Sequence, residues 1–200
     1  MIDADKEGMA DFVYKRDGSS RQRAIRECAN LVRKITARLI HPRLATAALT
    51  DLQRCLAAAL DAACLDDDGV PMPVPPSEIH PWVGQSNVVA PPMQLHLEED
   101  VLVGIVECSE VYGGHVPWVH GGVVAGLFDA MVATRGALSG SKMTAKLVID
   151  YRNPVPLNRP LRLEAVVDRI DGRKYHLSAR ILDGEILLAE AYALTLAPKS

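Results

Sequence analysis

The sequence predicts an α+β fold in which an antiparallel sheet wraps around one long central helix, with a helical hairpin at the N-terminus. Three observations lead to this prediction. Residues 123–132 are apolar on every side except for one carboxylate, which is the pattern of a buried helix. Strand-like segments stand before and after it, and Asp171-Gly172 and Asp183-Gly184 mark hairpin turns between the later ones. A helix without a polar face that is followed by a meander is best buried when the sheet curls around it.

Residues 1–65 are predicted to form an N-terminal helical extension. Residues 1–18 are polar and mixed in charge, and we expect them to be poorly ordered. A helix is predicted from Ser20 to the His41-Pro42 stop, and a second over residues 44–65. In the first, apolar residues recur at steps of three and four: Ile25, Cys28, Val32, Ile35 and Leu39. Two such stripes predict a hairpin that covers an apolar surface.

The N-terminal extension is rich in cations. They are Arg16, Arg21, Arg23, Arg26, Arg33, Lys34, Arg38 and Arg43. A solvated helix face and a landing patch for polyanions both explain them. We favour the solvated face, because a polyanion site needs aromatic interleaving or a binding module that the sequence does not show. The formal net charge of −3 also gives no case for a nucleic-acid partner.

Residues 66–92 are predicted to be a Pro-rich linker. Seven of the 13 prolines lie in it. Such a stretch is expected to be extended and to run over the surface. Trp82 and Val83 are apolar enough to pin it onto the domain that follows.

Residues 93–200 are predicted to form the sheet domain. Before the central helix, residues 94–97 and 101–108 predict a hairpin. After the helix, four strands are predicted, at residues 144–152, 161–170, 175–182 and 186–196. In the first of these four, apolar and polar residues alternate as they do on a half-covered strand.

The cysteines and the N-terminus bear on the compartment. Cys28, Cys55, Cys64 and Cys108 show no Cys-x-x-Cys spacing, so we interpret them as small buried hydrophobes in a reducing compartment. The N-terminus lacks the apolar core of a secretory signal, and no stretch reaches the length of a membrane span. We therefore expect a cytoplasmic protein without a membrane partner.

The strongest candidates for chemistry are His120-Gly121-Gly122, which opens the central helix, and Asp129 inside it. Amides at a helix start point outward without partners, and the helix dipole favours negative charge there. A carboxylate in an apolar helix costs several kcal/mol unless it is partnered or functional. Asp129 has a structural explanation, as a strand cap or an arginine partner, and a functional one. We favour function, because the amides and the acid share one helix.

A set of motifs follows in order over residues 85–197. It comprises NVVAPP at 87–92, VHGG at 119–122, LFD at 127–129, TAKL at 144–147, YRNPVPL at 151–157 and DGRK at 171–174. This set resembles the hotdog-fold thioesterases, and within them the phenylacetate-pathway-like (PaaI-type) acyl-CoA thioesterases. The resemblance implies a hotdog fold. It also implies hydrolysis of an acyl-CoA thioester by a homodimer or a dimer of dimers, with no cofactor.

The resemblance also implies roles for single residues. In that family the acid matching Asp129 is the general base or nucleophile, and the amide matching Gly121 polarises the thioester carbonyl. A Ser or Thr matching Thr144 often positions the water. Several members carry an Asn six residues before the His, where this sequence has Gly114. His115, next to it, is a candidate replacement for that lost side chain.

Thioester hydrolysis needs a polarised carbonyl and an activated water. A carbonyl oxygen on the Gly121 amide, helped by Gly122, would be stabilised as it becomes an oxyanion, and one such donor is worth about 3 kcal/mol. Gly121 and Asp129 are separated by roughly 12 Å along a straight helix. One water does not bridge that span, so the two groups must come from different chains about a two-fold axis. The sequence therefore predicts active sites at a dimer interface.

Three cations and one histidine complete the predicted site. Arg152, Arg173 and Lys174 fall at strand ends or in a turn, where they could meet the phosphates of CoA. The common occurrence of Arg and Lys in turns explains them equally well. His120 is expected to order the Gly-Gly turn through a hydrogen bond rather than to transfer protons.

The sequence gives less support to other functions. An α/β-hydrolase needs Gly-x-Ser-x-Gly, and GALSG at 136–140 has a different spacing. His115 and His120 lack a matching ligand set, so no metal is expected. Hotdog hydratases pair an Asp with a His in another arrangement. The serious alternative is a non-catalytic acyl-CoA binding protein with a hotdog fold. The N-terminal hairpin is compatible with both functions. Its role could be a lid over the acyl channel or an oligomer contact.

Overall fold

The structure is a computed structural model, and it describes residues 20–40, 45–62, 80–115 and 117–199. The described residues form three α-helices and a six-stranded sheet. The elements are α1 (Ser20–Leu39), α2 (Thr46–Ala62), β1 (Gln94–Glu98), β2 (Val101–Glu107), α3 (Gly121–Leu138), β3 (Met143–Tyr151), β4 (Pro160–Asp171), β5 (Lys174–Asp183) and β6 (Ile186–Leu196). The predicted α+β class and the order of its elements are confirmed.

The strands lie in the order β1-β2-β4-β5-β6-β3, and every neighbouring pair is antiparallel. α3 leads from β2 to β3 and packs across one face of the sheet, with contacts to β2, β3, β4, β5 and β6. β4, β5 and β6 are the predicted meander. Its two turns contain Gly172 and Gly184 with φ of 55° and 60°, a backbone that L-residues with a Cβ rarely adopt.

The core lies between α3 and the sheet. α3 contributes Val124, Leu127, Phe128, Met131 and Val132, all buried. The sheet contributes Leu102, Leu161, Leu163, Leu177 and Ile181, all at most 1% exposed. At about 25 cal/mol per Å² of apolar surface removed from water, this contact stabilises the fold more than any hydrogen bond within it. α3 begins at Gly121, as the His120-Gly121-Gly122 step predicts, and its last turn packs on the sheet through Gly136, which lies against Thr195.

α3 is also long and apolar enough, by composition, to cross a membrane, although no such stretch was expected from the sequence. Half of that 18-residue window is buried inside the protein. The core helix of a globular domain meets the same criterion, so packing against the sheet is sufficient to explain why α3 is apolar.

The two N-terminal helices form where they were predicted, but their burial differs from the prediction. α1 buries Ala29 and Arg33, while Cys28, Val32 and Leu39 of the predicted apolar stripe are exposed. None of the described side chains of α2 is buried. The prediction that both stripes cover an apolar surface is therefore wrong within this chain. Residues 1–18 and 41–44 lie outside the described residues.

The cysteines do not share one environment. Cys28 and Cys55 are exposed, so the prediction of buried cysteines is wrong for both. Cys108 is buried, and burial raises the pKa of its thiol to about 12. Cys64 lies outside the described residues.

Residues 80–90 are folded into successive turns rather than extended, which corrects the linker prediction over this part. The amides of Gly84, Asn87 and Ala90 donate to the carbonyls of His80, Gly84 and Asn87, at 2.9, 3.1 and 3.2 Å. Val83 is buried, in agreement with the expectation that it pins this segment to the domain. We call residues 80–90 the strap.

Candidate active site

The N-terminus of α3 is organised by His120. This residue is the N-cap, with an extended backbone, and its Nδ1 accepts the amide of Gly122 at 2.9 Å. Its carbonyl accepts the amides of Val123 and Val124, at 2.9 and 3.2 Å. The amides of Gly122, Val123 and Val124 thus all have acceptors. The Gly121 amide in the same turn has none among the described residues. His120 thus holds the turn, as expected, but the Gly122 amide is not the additional free donor that the sequence argument placed there.

A cleft of about 380 Å³ opens beside Gly121. It is lined by Trp118, Val119, Gly121, Val124, Tyr151, Arg152, Asn153, Pro154 and Val155. The Tyr151 hydroxyl donates to the Gly121 carbonyl at 3.0 Å, which joins the end of β3 to the start of α3. In the sequence, Tyr151 stands out only as part of the YRNPVPL motif. We call Gly121, Tyr151 and this cleft the amide half of the site.

Asp129 lies further along α3 and does not line that cleft. Its distance from Gly121 is roughly 12 Å along the helix axis. The side chain is half-buried between the buried Phe128 and Ala130. Among the described residues no Arg or Lys forms an ion pair with it, so the arginine-partner explanation finds no support.

His80, in the strap, is the residue near Asp129 that sequence reasoning missed. Burial lowers the pKa of its imidazole below 6.5, and the nearby charge of Asp129 partly opposes this shift. The only signal in the sequence was a His next to Pro81 and Trp82 in a segment interpreted as linker. We call Asp129 and His80 the acid half of the site.

Comparisons with known proteins bear on this geometry. No family model matches the chain. The acyl-coenzyme A thioesterase THEM4 of Xenopus laevis is 38% identical over 80 residues, which are 38% of this chain and 36% of that protein. THEM4 of Mus musculus is 37% identical over 79 residues, which are 38% of this chain and 34% of that protein. The chain thus spans about a third of the length of these curated relatives.

Similar solved structures decide the fold. The crystal structure of a thioesterase superfamily protein matches with a TM-score of 0.74 at 24% identity, over 92% of this chain and 94% of that one. The chain has the hotdog fold. A Streptococcus mutans protein crystallised with acetyl CoA also matches, with a TM-score of 0.51 at 14% identity, over 54% of this chain and 90% of that one. The resemblance noted in the sequence is confirmed.

Gly114 has a structural reason within this hotdog fold. A Cβ at this position would lie 2.9 Å from the Cα of His120, a backbone atom that cannot move aside alone. Gly114 also donates its amide to the Trp118 carbonyl at 3.0 Å. An Asn there would displace the residue that caps α3, so the departure from the family pattern is built into this loop. His115 is exposed on the same loop and does not line the cleft.

Thr144 lies at the other end of β3 from Tyr151. It is half-buried and faces Thr195 of β6 in the register. Because α3 runs from beside Tyr151 to the turn before β3, the two elements are antiparallel. Thr144 is therefore closer to the end of α3 that follows Asp129 than to the amide half.

The three cations predicted to bind the phosphates of CoA do not lie close together within one chain. Arg152 follows β3 beside the start of β6 and pairs with Glu190 at 2.6 Å and Asp150 at 3.4 Å. Arg173 and Lys174 lie beside Leu196 at the opposite end of the sheet. Arg173 donates to the carbonyls of Ala197 and Pro198, at distances from 2.8 to 3.1 Å. The chain thus places Arg152 alone at the cleft.

Proposed function

We propose that this hotdog chain hydrolyses acyl-CoA thioesters at sites formed between two copies. The observation that carries the proposal is the separation of its two halves on α3. Gly121, whose amide has no acceptor among the described residues, lines the cleft. Asp129, without an ion-pair partner among the described residues, lies roughly 12 Å away. Two antiparallel copies of α3 about a two-fold axis would bring the amide of one chain to the acid of the other.

The relatives support the same chemistry. The THEM4 proteins carry the name acyl-coenzyme A thioesterase, and the Streptococcus mutans neighbour was solved with acetyl CoA bound. The similarity to THEM4 covers about a third of that protein, so it supports the substrate and activity that we propose for this chain without establishing them.

The proposed reaction uses one group from each half. The thioester carbonyl oxygen accepts the Gly121 amide, and the carboxylate of Asp129 takes a proton from a water as its oxygen attacks the carbonyl carbon. The C–O bond forms, negative charge builds on the oxygen at the amide, and the C–S bond then breaks. The thiolate leaves with the electron pair, and the proton passes from Asp129 to sulfur or to solvent. Thr144 is proposed to position the water, and Arg152 to meet a phosphate of CoA.

A non-catalytic acyl-CoA binding protein is the second candidate. The observation that favours it is Gly114, since the loop has no room for the water-orienting Asn of several family members. Such a protein would bind the thioester through the same cleft and leave it intact.

Thiol release measured over a panel of acyl-CoAs separates the two candidates. A thioesterase releases CoA, and Asp129→Asn should then lower kcat by about a thousandfold while acyl-CoA still binds. Glu185→Gln is the matched control, because it removes a carboxylate from the exposed β5–β6 turn. Tight binding without turnover by the wild-type protein would favour the binding protein. Full activity of a monomer would contradict sites shared between copies.

A further inference from the structure

Tyr151, the last residue of β3, lies against the first residue of α3. Its hydroxyl donates to the Gly121 carbonyl at 3.0 Å, across 30 positions of the chain. A Cβ built on Gly121 would lie 3.7 Å from the ring, so the ring covers that side of the residue. Both residues line the cleft of about 380 Å³. The hydrogen bond therefore lies at the wall where the thioester carbonyl is proposed to bind.

The two peptide units that flank Gly121 contain four polar groups, and three of them have partners. The His120 carbonyl accepts two amides of the first turn, at 2.9 and 3.2 Å. The Gly122 amide donates to His120 Nδ1 at 2.9 Å. The Gly121 carbonyl accepts the Tyr151 hydroxyl. The fourth group is the Gly121 N–H, which has no acceptor among the described residues. These bonds fix both peptide planes and leave one donor for a ligand.

Among the described residues, the bond from Tyr151 ties these peptide units to the sheet. The other bonds lie within α3 and its cap. A helix that opens on two glycines has a weak first turn, because glycine costs about 0.5–1 kcal/mol relative to alanine in a helix. Tyr151 itself is held by the pairing of β3 with β6, where it lies opposite Ala189. An oxyanion donor is effective when it is fixed in advance at hydrogen-bond distance from the developing charge.

We propose that Tyr151 is a positioning residue for the oxyanion donor. Its hydroxyl holds the Gly121 carbonyl, so that the Gly121 N–H keeps one direction while negative charge develops on the thioester oxygen. This inference rests on the proposed function, since it takes the Gly121 amide as the donor to the thioester carbonyl. Tyr151 acts through Gly121 and not on the reacting atoms.

Removing the hydroxyl alone tests this role. Tyr151→Phe keeps the ring in the wall of the cleft and deletes the hydrogen bond. We expect kcat to fall about tenfold with KM unchanged, because the donor to the transition state is misplaced while the binding surface remains. In a Gly121→Pro background the same change should cost nothing further, because the donor that it positions is gone. A second full loss in that background would overturn the proposal.

Tyr192→Phe is the matched control. Tyr192 is exposed on β6, and its hydroxyl is hydrogen-bonded to His176 of the neighbouring strand. It is three residues from Ala189, the partner of Tyr151, so its side chain lies on the other face of the sheet. The control therefore removes the same atom from the same kind of bond away from the cleft. We expect its kcat to equal that of the wild-type protein, and an equal loss in both variants would overturn the proposal.

A binding measurement tests the inference without turnover. A CoA ketone, with a methylene group in place of the thioester sulfur, keeps the carbonyl, whereas an alkyl-CoA thioether lacks it. By calorimetry, Tyr151→Phe should weaken binding of the ketone about threefold to tenfold and leave that of the thioether unchanged. Equal weakening of both analogues would mean that the hydroxyl only supports the cleft, and no weakening of the ketone would exclude positioning.

The two analogues also separate this inference from the proposed function. If the wild-type protein binds the ketone but hydrolyses no thioester, the proposed hydrolysis is wrong and the ketone comparison still decides the role of Tyr151. If the protein hydrolyses thioesters and Tyr151→Phe matches it in both assays, the inference alone is wrong. Failure of the wild-type protein to bind either analogue would contradict both.

Discussion

The two halves of the candidate site are held in different ways. In the amide half, Gly121 is fixed by its sequence neighbour His120 and by Tyr151 of the sheet. In the acid half, Asp129 lies beneath the strap. The strap is held by Arg33, which donates to the Ala90 carbonyl from a position 57 residues earlier in the chain. The amide half is thus a property of the hotdog core, whereas the surroundings of the acid depend on segments outside it. Changes in the N-terminal extension should then affect the acid half first, because among the described residues they reach the amide half only through Tyr112, whose carbonyl accepts the His120 amide at 2.9 Å.

In the amide half, the largest effect is expected from removing the amide donor itself. Gly121→Pro deletes the N–H at the first helical position, where proline is well tolerated, and the extended backbone of His120 suits a following proline. We expect kcat to fall by 10²–10³, about 3 kcal/mol in the barrier, with little change in melting temperature. Gly121→Ala is the matched control: it keeps the N–H, and its Cβ would lie 3.7 Å from the Tyr151 ring. Equal losses in the two variants would exclude the amide as the donor.

The same variant tests whether the halves come from different chains. Alone, Gly121→Pro and Asp129→Asn should each retain at most about 1% of wild-type turnover. Mixed dimers would contain one intact site, so co-expression should restore about a quarter of wild-type thiol release if assembly is random. Sites within one chain would give no restoration.

The amide half could be predicted from the sequence to a large extent, and the acid half could not. His120-Gly121-Gly122 is a local pattern whose capping bond joins residues two apart, so the sequence contains it directly. Asp129 stood out because it is the single charge in an apolar run. His80 did not stand out, because only the folded chain brings residues 80–90 onto α3. Gly126 gave no signal either, since its role is the space it leaves for Trp82.

Breaking the strap's attachment should be the next largest effect. Arg33→Met leaves three strap carbonyls without their charged donor, and we expect a loss of roughly 2–4 kcal/mol in the free energy of unfolding, measured with urea. Amide exchange should accelerate in residues 80–90 and remain slow in β4 and β5. Lys34→Met is the control, because Lys34 is exposed on the same helix. If exchange rose equally at the start of α3, the two halves would not be independent.

The packing of the strap on α3 can also be disturbed by a substitution in α3. Gly126→Ala places a methyl group where the Trp82 ring lies, and overpacking of this kind costs roughly 1–3 kcal/mol. We expect kcat to fall with it, because residues three apart on a helix lie on the same side, so displacing Trp82 also disturbs the surroundings of Asp129. Adding Trp82→Phe should recover part of the stability, since the smaller ring leaves room. Full activity of Gly126→Ala would show that the strap and the acid are uncoupled.

The smallest expected effect is a dependence of stability on pH that belongs to the acid half. Burial lowers the pKa of His80 below 6.5 in the folded chain, whereas the unfolded chain keeps the ordinary value. As the pH falls through 6.5, the unfolded state therefore binds a proton that the folded state does not yet bind. The free energy of unfolding decreases until the pH passes the pKa of His80 in the folded chain. His80→Gln should flatten this part of the urea stability profile, and Asp129→Asn should steepen it, because the carboxylate favours the protonated ring. Gly121→Pro leaves both His80 and Asp129 in place, so this part of the profile should be unchanged in that variant.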